Sequence, residues 1–161
     1  MRALSGLVAP RLPVTTIRGM KRWIVRIAIG LAVLFVAIQF VPSGRTNPAV
    51  TKPLDAPADV MAILRRSCFD CHSNETQWPW YAYVAPTSWL VVHDTDEGRA
   101  ELNFSHWGDM TPKARSSKAS EVVEEIEGGE MPLEEYLWMH SDAKISESDL
   151  EVLRRWSDGD V

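Results

Sequence analysis

The chain has 161 residues with 22 acidic and 17 basic side chains, so its formal net charge at pH 7 is −5. All the acidic residues but only 11 of the basic residues follow position 42, so the later part of the chain carries a net charge of −11. Nucleic-acid binding requires a basic patch, and this charge balance argues against it. The acidic surface suits a well-solvated domain, and it also suits docking of a basic partner protein.

The N-terminal part predicts one membrane-spanning helix over residues 23–41, a largely apolar stretch with one charge, Arg26. Basic residues cluster before and at the start of this stretch: Arg18, Lys21, Arg22 and Arg26. The positive-inside rule then predicts that residues 1–22 are cytoplasmic and that the rest of the chain lies outside. A cleaved secretory signal is the alternative, although no small-x-small cleavage pattern ends the apolar run. Either version exports the part of the chain after residue 41. Translation could also start at Met20 rather than at Met1.

Residues 42–57 contain four prolines and predict a tether without helix or strand. Residues 58–161 are enough for one small domain with a single core. Four helices are predicted in this domain: one capped by Asp59 and ending near Ser67, one over 116–127 stopped by Gly128 and Gly129, a short one after Pro132, and a last one opened by a capping box of Ser146 and Asp149. No stretch has the alternation of a strand, so we predict an all-α domain.

The most informative motif is Cys68-x-x-Cys71-His72, which contains the only two cysteines of the chain. Two thiols three residues apart on one turn can form thioethers with the two vinyl groups of one porphyrin. The adjacent His72 is then held under the iron, where it can serve as an axial ligand. The motif therefore predicts one covalently attached haem c. An all-α domain with helices before this turn and at the C-terminus is typical of small c-type cytochromes.

Three other kinds of site use the same residue types. A thioredoxin-like dithiol needs a strand before the motif within a βαβ unit, and no β-rich run precedes Cys68. A structural zinc site needs four ligands, usually from two such pairs, and the sequence has no second pair. A simple disulfide would leave the position of His72 as coincidence. These alternatives stay open, although haem attachment explains all three residues.

A second axial ligand has to come from residues after the motif, and six candidates exist: His93, His106, Met110, Met131, Met139 and His140. Met131 has the most favourable local sequence, because it lies in a loop with no helix face to fill. Pro132 also restricts its backbone to extended conformations. The alternatives are that Met131 fills a gap in the core, that a histidine binds the iron, or that the position is open or holds water.

Aromatic residues are concentrated within about twenty residues of the motif: Trp78, Trp80, Tyr81, Tyr83 and Trp89. We predict Trp80 and Tyr81 as walls of the cofactor pocket, because ring faces bury a large apolar area against a porphyrin. The alternative is that these rings form the general core. For Arg99, a surface salt bridge is favoured over a contact with a haem propionate.

The run Cys68-Phe69-Asp70-Cys71-His72-Ser73-Asn74-Glu75-Thr76 resembles a family of small bacterial haem-binding domains with one CxxCH motif. So do Pro79-Trp80-Tyr81 and the segments 85–89, 98–99, 102–105, 129–132 and 136–156. The resemblance covers about residues 20–158. It implies a monohaem c-type protein anchored in the bacterial inner membrane, with its haem domain in the periplasm. The Gly-Glu-Met-Pro element of the family corresponds here to Met131, whereas His106 stands where the family more often has an acid.

Two classes of function are compatible with these residues. In the first, both axial positions are filled and the iron transfers single electrons to and from a redox protein that the sequence does not identify. In the second, an open axial position makes the protein a gas or peroxide sensor or a weak peroxidase. A peroxidase would use a distal histidine, which His93 or His106 could supply. The single haem and the Met131-Pro132 element favour an electron carrier over an enzyme.

Overall fold

The computed structural model describes residues 14–159, and the chain divides between Pro42 and Ser43 into two compact units. Within residues 14–159 every regular element is helical and no strand occurs, so the predicted all-α class is confirmed. Residues 1–13 and 160–161 lie outside the described part, and with them most of the predicted cytoplasmic segment 1–22.

The first unit contains one long helix, α1 (Val14–Ile38). It includes most of the predicted membrane anchor, residues 23–41, together with Lys21, Arg22 and Arg26. Over residues 14–159, no helix is both long enough and apolar enough to cross a membrane. This finding gives no support to the membrane-spanning helix that the sequence predicts.

The described part of the second unit contains six further α-helices and three 3₁₀ turns. The helices are α2 (Ala58–Ser67), α3 (Phe69–His72), α4 (Thr87–Glu101), α5 (Pro112–Gly128), α6 (Glu134–Leu137) and α7 (Glu147–Asp158). The 3₁₀ turns are Trp80–Tyr83, Phe104–Asp109 and Ser141–Ala143. Helix α7 packs against both α2 and α5, and α4 packs against α3.

Helix α2 leads directly into the cysteine motif. Its buried face contains Val60, Ile63, Leu64 and Ser67, as predicted. The helix begins before the predicted cap residue. Pro57 occupies the cap position, and Asp59 lies within the first turn. There the Asp59 carboxylate accepts a hydrogen bond from the Val60 backbone N–H at 2.9 Å. Its negative charge also interacts favourably with the positive end of the helix dipole.

The core fixes the position of the motif through Phe69, the first residue between the two cysteines. The Phe69 ring stacks on Phe104, with ring centroids 5.2 Å apart, and Phe104 in turn contacts Trp107. Phe104 is 1% exposed and lies among residues of α2, α5 and α7. A motif residue is thus part of the hydrophobic core, which holds the turn Phe69–His72 against it.

The three later predicted helices are confirmed as α5, α6 and α7, with α5 longer than expected. Helix α5 begins at Pro112 rather than at residue 116, because the Thr111 Oγ1 accepts from the Ala114 N–H at 3.2 Å and proline suits the first helical position. Gly129 ends it with φ +77°. Helix α7 begins with the predicted capping box of Ser146 and Asp149.

Helix α4 is absent from the sequence prediction. Its apolar residues, Trp89 to Val92, are contiguous and are followed by a largely acidic run, so the segment lacks the 3.6-residue period of an amphipathic helix. Tertiary packing stabilises it instead, since Val92 and Thr95 are buried against neighbouring elements. Local sequence pattern therefore does not reveal this helix.

Residues 43–57 form neither helix nor strand, in agreement with their prolines, but they lie against the helices of the second unit rather than apart from them. Leu54 is 6% exposed within the core, and its N–H donates to the Phe104 carbonyl at 2.8 Å. Lys52 forms an ion pair with Asp109 at 2.7 Å. The segment predicted as a tether is thus part of the folded unit, because Leu54 completes the core.

Candidate cofactor site

Helix α4 comes very close to the cysteine motif at Gly98. A Cβ atom at this position would lie 2.9 Å from the Cys71 carbonyl oxygen and 3.2 Å from the Cys71 Cβ. Since backbone atoms cannot move aside as a flexible side chain can, only glycine permits this contact. The approach brings the C-terminal carbonyl groups of α4 to the imidazole of His72.

The His72 Nδ1 lies 2.9 Å from the Gly98 carbonyl oxygen and 3.1 Å from the Leu102 carbonyl oxygen. Both neighbours are acceptors, so Nδ1 carries the proton and donates it, and the lone pair of Nε2 is left to bind a metal. Burial lowers the pKa of His72, and the two hydrogen bonds oppose this effect. The geometry therefore defines both the tautomer and the orientation that an iron ligand requires.

The thiols of Cys68 and Cys71 are both free and partly buried. Burial raises the pKa of Cys68 to about 12 and that of Cys71 to about 11. A redox-active dithiol needs the opposite, a thiol pKa that is depressed so that the thiolate is available. This environment argues against the thioredoxin-like alternative. Within residues 14–159 no group of three or more histidine, cysteine or carboxylate side chains is arranged to hold a metal ion.

A cavity of about 310 Å³, which we call the first cavity, opens beside the motif. Its wall includes Cys68, His72 and Met131, together with apolar side chains such as Leu102, Val122 and Ile126. Ser67 also lines this cavity; its hydroxyl is buried and has no hydrogen-bond partner within the protein. A buried polar group without a partner is costly, so this hydroxyl is expected to pair with a bound group.

Met131 follows the glycine that ends α5, and its N–H donates to the Glu125 carbonyl at 3.2 Å. Its side chain is 37% exposed and lines the first cavity together with His72. A thioether and an imidazole thus share one mostly apolar cavity. That is the donor set of a low-spin haem with histidine and methionine ligands.

The other five candidates for a second ligand do not line the first cavity. His93 is exposed and pairs with Glu97 at 3.3 Å. Both ring nitrogens of His106 have partners, with Nδ1 2.8 Å from the Thr51 hydroxyl and Nε2 3.1 Å from the Asn74 amide nitrogen. Met110 packs against the core, whereas Met139 and His140 lie near the aromatic residues described next.

The predicted aromatic walls belong to a different cavity, of about 390 Å³, which we call the second cavity. Trp80, Tyr81 and Tyr136 line it, and so does Cys71. Cys68 therefore lines the first cavity and Cys71 lines the second. Sequence proximity to the motif did not indicate which cavity these aromatic residues would line.

Two tyrosines tie the segment after Met131 to the motif. The Tyr136 hydroxyl donates to the Asp70 carboxylate at 2.9 Å, and the Tyr136 ring stacks on His140 with centroids 4.2 Å apart. The His140 Nε2 is 2.7 Å from the Tyr81 hydroxyl. Burial and the nearby Asp70 carboxylate raise the pKa of Tyr136. Sequence reasoning missed this link, although the four-residue spacing of Tyr136 and His140 is a signal for ring contact.

Arg99 does not form the surface salt bridge that the sequence favours. Its guanidinium donates to four neutral acceptors: the carbonyls of Ser73 and Thr46, the Asn47 side-chain oxygen and the Thr76 hydroxyl. These acceptors lie in the irregular segment 43–57 and in the loop after the motif. Arg99 therefore holds both segments to α4, a role that depends on contacts distant in sequence.

Comparison with known proteins gives one match. A family model described as a haem-binding domain matches residues 33–159, which is most of the chain. No curated protein and no solved structure shows a significant match.

Proposed function

Since the chain belongs to the haem-binding domain family, with haem as its cofactor, we propose that Cys68 and Cys71 attach one haem covalently and that the protein transfers single electrons. In this proposal His72 and Met131 are the two axial ligands of the iron. The fold is then that of a small c-type cytochrome, built around one haem.

One observation carries the proposal: His72 and Met131 line the same mostly apolar cavity as Cys68, and the His72 Nδ1 is already bound to two carbonyls. These residues fit the cofactor, because nitrogen and thioether donors are ordinary ligands of low-spin haem iron. The unpaired Ser67 hydroxyl in the same wall adds a polar group that is expected to meet a bound molecule.

Bound haem supplies the Fe(II)/Fe(III) couple, and the residues of the chain set its properties. The hydrogen bonds from His72 to Gly98 and Leu102 strengthen the imidazole as a ligand and hold its ring in one orientation. A methionine ligand raises the reduction potential of the iron. The apolar side chains Val122 and Ile126 limit the access of water to the first cavity. Each of these effects suits an electron carrier.

The residues that line the first cavity support a peroxidase less well than an electron carrier. Such an enzyme would place a distal histidine in the cavity to assist cleavage of the oxygen–oxygen bond. Among the described residues that line the first cavity, His72 is the one histidine. His93 and His106 have partners elsewhere, and Met131 lines the cavity as a second ligand candidate, so we adopt electron transfer rather than the peroxidase or sensor alternative.

The proposed location of residues 43–161 is the periplasm of a bacterium, because haem is attached to motifs of this kind after export. Protease added to spheroplasts should then cleave these residues while cytoplasmic proteins remain intact. Protection of the domain until the spheroplasts are lysed would contradict an exported location.

Covalent attachment of haem to Cys68 and Cys71 is tested on protein expressed in a host that has haem-attachment machinery. We expect the wild-type protein to carry the mass of one haem and to give a pyridine haemochrome spectrum with two thioethers. Cys68→Ala and Cys71→Ala should each give a haemochrome spectrum with one thioether, or no attached haem. An unmodified mass for exported wild-type protein would overturn covalent attachment.

The second ligand is tested by Met131→Ala in the haem-loaded protein, with Met139→Ala as the matched control. We expect the wild-type and the control to have low-spin ferric spectra with the weak sulfur-to-iron charge-transfer band and, after reduction, no response to carbon monoxide. Met131→Ala should lose this band in the ferric state and bind carbon monoxide once it is reduced. An unchanged spectrum for Met131→Ala, or loss of the band in Met139→Ala, would exclude Met131 as the ligand.

A further inference from the structure

Three carboxylates and one ammonium group share the wall of the first cavity. Glu101, Glu121 and Glu125 line it, and Lys118 is the one lysine or arginine among its described lining residues. Haem itself carries two propionate carboxylates, which these glutamates would repel. A cation close to the propionates would offset this repulsion.

Lys118 is placed to act as that cation. It lies on the same face of α5 as Val122 and Glu125, which follow it by four and seven residues and also line the cavity. Its side chain is 27% exposed, and its ammonium is 2.8 Å from Glu121. A partly exposed ion pair of this kind contributes little to stability, so the ammonium can be shared with another carboxylate at small cost.

The second cavity offers no comparable partner for a propionate. Asp70, Asp94 and Glu135 line it, and none of its described lining residues is basic. Arg99, which the sequence suggests as a candidate for this contact, is already bound to four neutral acceptors. Charge thus distinguishes the two cavities: only the first has a positive group in its wall.

We infer that Lys118 binds a haem propionate, so that the propionate edge of the porphyrin faces α5. This inference rests on the proposed function, because it takes the haem to be attached at Cys68 and Cys71. Lys118 is a positioning residue: it neutralises a carboxylate that would otherwise lie among Glu101, Glu121 and Glu125.

The test compares Lys118→Gln with Lys118→Arg and with Lys113→Gln in the haem-loaded protein. Lys113 lies on α5, is exposed and lines neither cavity, so its substitution removes the same net charge elsewhere. The reduction potential is measured against pH, and the propionate pKa is taken from that profile. Infrared spectra of haem labelled with ¹³C at the propionates report the same carboxylates directly.

In Lys118→Gln we expect a lower reduction potential than in the wild type, because the loss of a nearby positive charge favours the ferric state. The propionate pKa should rise by about one unit, since an opposite charge at close range lowers a carboxyl pKa. The propionate infrared band should shift as well. Lys118→Arg should restore the wild-type values, whereas Lys113→Gln should leave the propionate pKa and band unchanged.

Equal responses of Lys118→Gln and Lys113→Gln would overturn the inference, because the effect would then be one of net charge alone. Mass spectrometry and circular dichroism of each variant separate this result from other failures. Folded wild-type protein without covalent haem removes the premise, and the inference falls with the proposed function. Folded Lys118→Gln protein that carries haem with an unchanged propionate pKa contradicts the inference alone.

Discussion

At the scale of single residues, His72 illustrates how a short motif depends on atoms far away in sequence. The motif itself supplies the imidazole beside two thiols, but the two carbonyls that bind its Nδ1 belong to Gly98 and Leu102. They reach His72 because Gly98 has no side chain where α4 meets Cys71. The motif thus supplies the ligand itself, whereas tertiary contacts determine its orientation.

The first prediction at this scale concerns Gly98→Ala. The added Cβ would lie 2.9 Å from the Cys71 carbonyl oxygen, so α4 or the motif has to move. We expect the free energy of unfolding to fall by about 1–3 kcal/mol, as for other overpacked sites. Urea unfolding measures this change, and haem content after expression should fall with it.

Gly128→Ala is the matched control for Gly98→Ala. Its added Cβ would have no heavy atom closer than 3.8 Å, and the residue lies in α5, where alanine is preferred over glycine. This variant should be as stable as the wild type or slightly more stable. A Gly98→Ala protein with wild-type stability would show that the close contact does not constrain the fold.

At the scale of elements, the segment from Met131 to His140 is joined to the motif by side chains rather than by backbone. Tyr136 binds Asp70, which lies between the two cysteines, and His140 binds Tyr81. Helix α6 has only four residues, and such a short helix is not stable by itself. These contacts therefore determine where the loop that carries Met131 lies.

Tyr136→Phe tests this element. Loss of the hydrogen bond to the Asp70 carboxylate should lower the free energy of unfolding by about 1.5 kcal/mol, because hydrogen bonds to charged groups are stronger than neutral ones. In the reduced, haem-loaded protein we also expect carbon monoxide to bind, unlike in the wild type, since the Met131 loop is held less firmly. Stopped-flow mixing with carbon monoxide measures the second effect.

Tyr83→Phe serves as the control for Tyr136→Phe. Tyr83 is 59% exposed, and its ring contacts the Arg45 guanidinium, an interaction that phenylalanine preserves. This variant should match the wild type in stability and in its response to carbon monoxide. If both variants respond alike, the bond between Tyr136 and Asp70 has no special role in holding the loop.

At the scale of the whole molecule, the Asp149 carboxylate links the last helix of the second unit, α7, to its first helix, α2. Asp149 completes the capping box of α7 with Ser146 and also pairs with Arg66 of α2 at 2.9 Å. The hydrogen bonds from Ser146 and the charge of Arg66 lower the pKa of Asp149 below its ordinary value of 3.8. The ionised form therefore stabilises the folded state.

The sign of this effect predicts how stability depends on pH. Because the folded-state pKa of Asp149 is the lower one, its contribution is complete above pH 3.8 and is lost as the pH falls through the folded-state value. Asp149→Asn should thus be less stable than the wild type near neutral pH, and the difference should shrink in acid. Urea unfolding across pH measures this, with Asp158→Asn on the same helix as the control. A difference independent of pH would assign the effect to packing.

Short-range signals in the sequence were enough to predict the cofactor motif, several helix ends and the fold class of this protein. The spacing of Cys68, Cys71 and His72 indicated the cofactor, and the caps at Ser146 and Gly129 marked helix ends correctly. These features depend on residues a few positions apart, so the sequence alone reveals them. The same holds for the all-α class of the described residues, since no stretch alternates as a strand does.

Only the tertiary structure decided which residues meet. Helix α4 has no periodic pattern and is stabilised by packing, yet its Gly98 carbonyl and that of Leu102, directly after it, are the acceptors for His72. The presence of Met131 in the cavity of His72, the link from Tyr136 to Asp70 and the burial of Leu54 join residues tens of positions apart. Such contacts depend on how the whole chain buries its apolar surface, a property that no single segment carries.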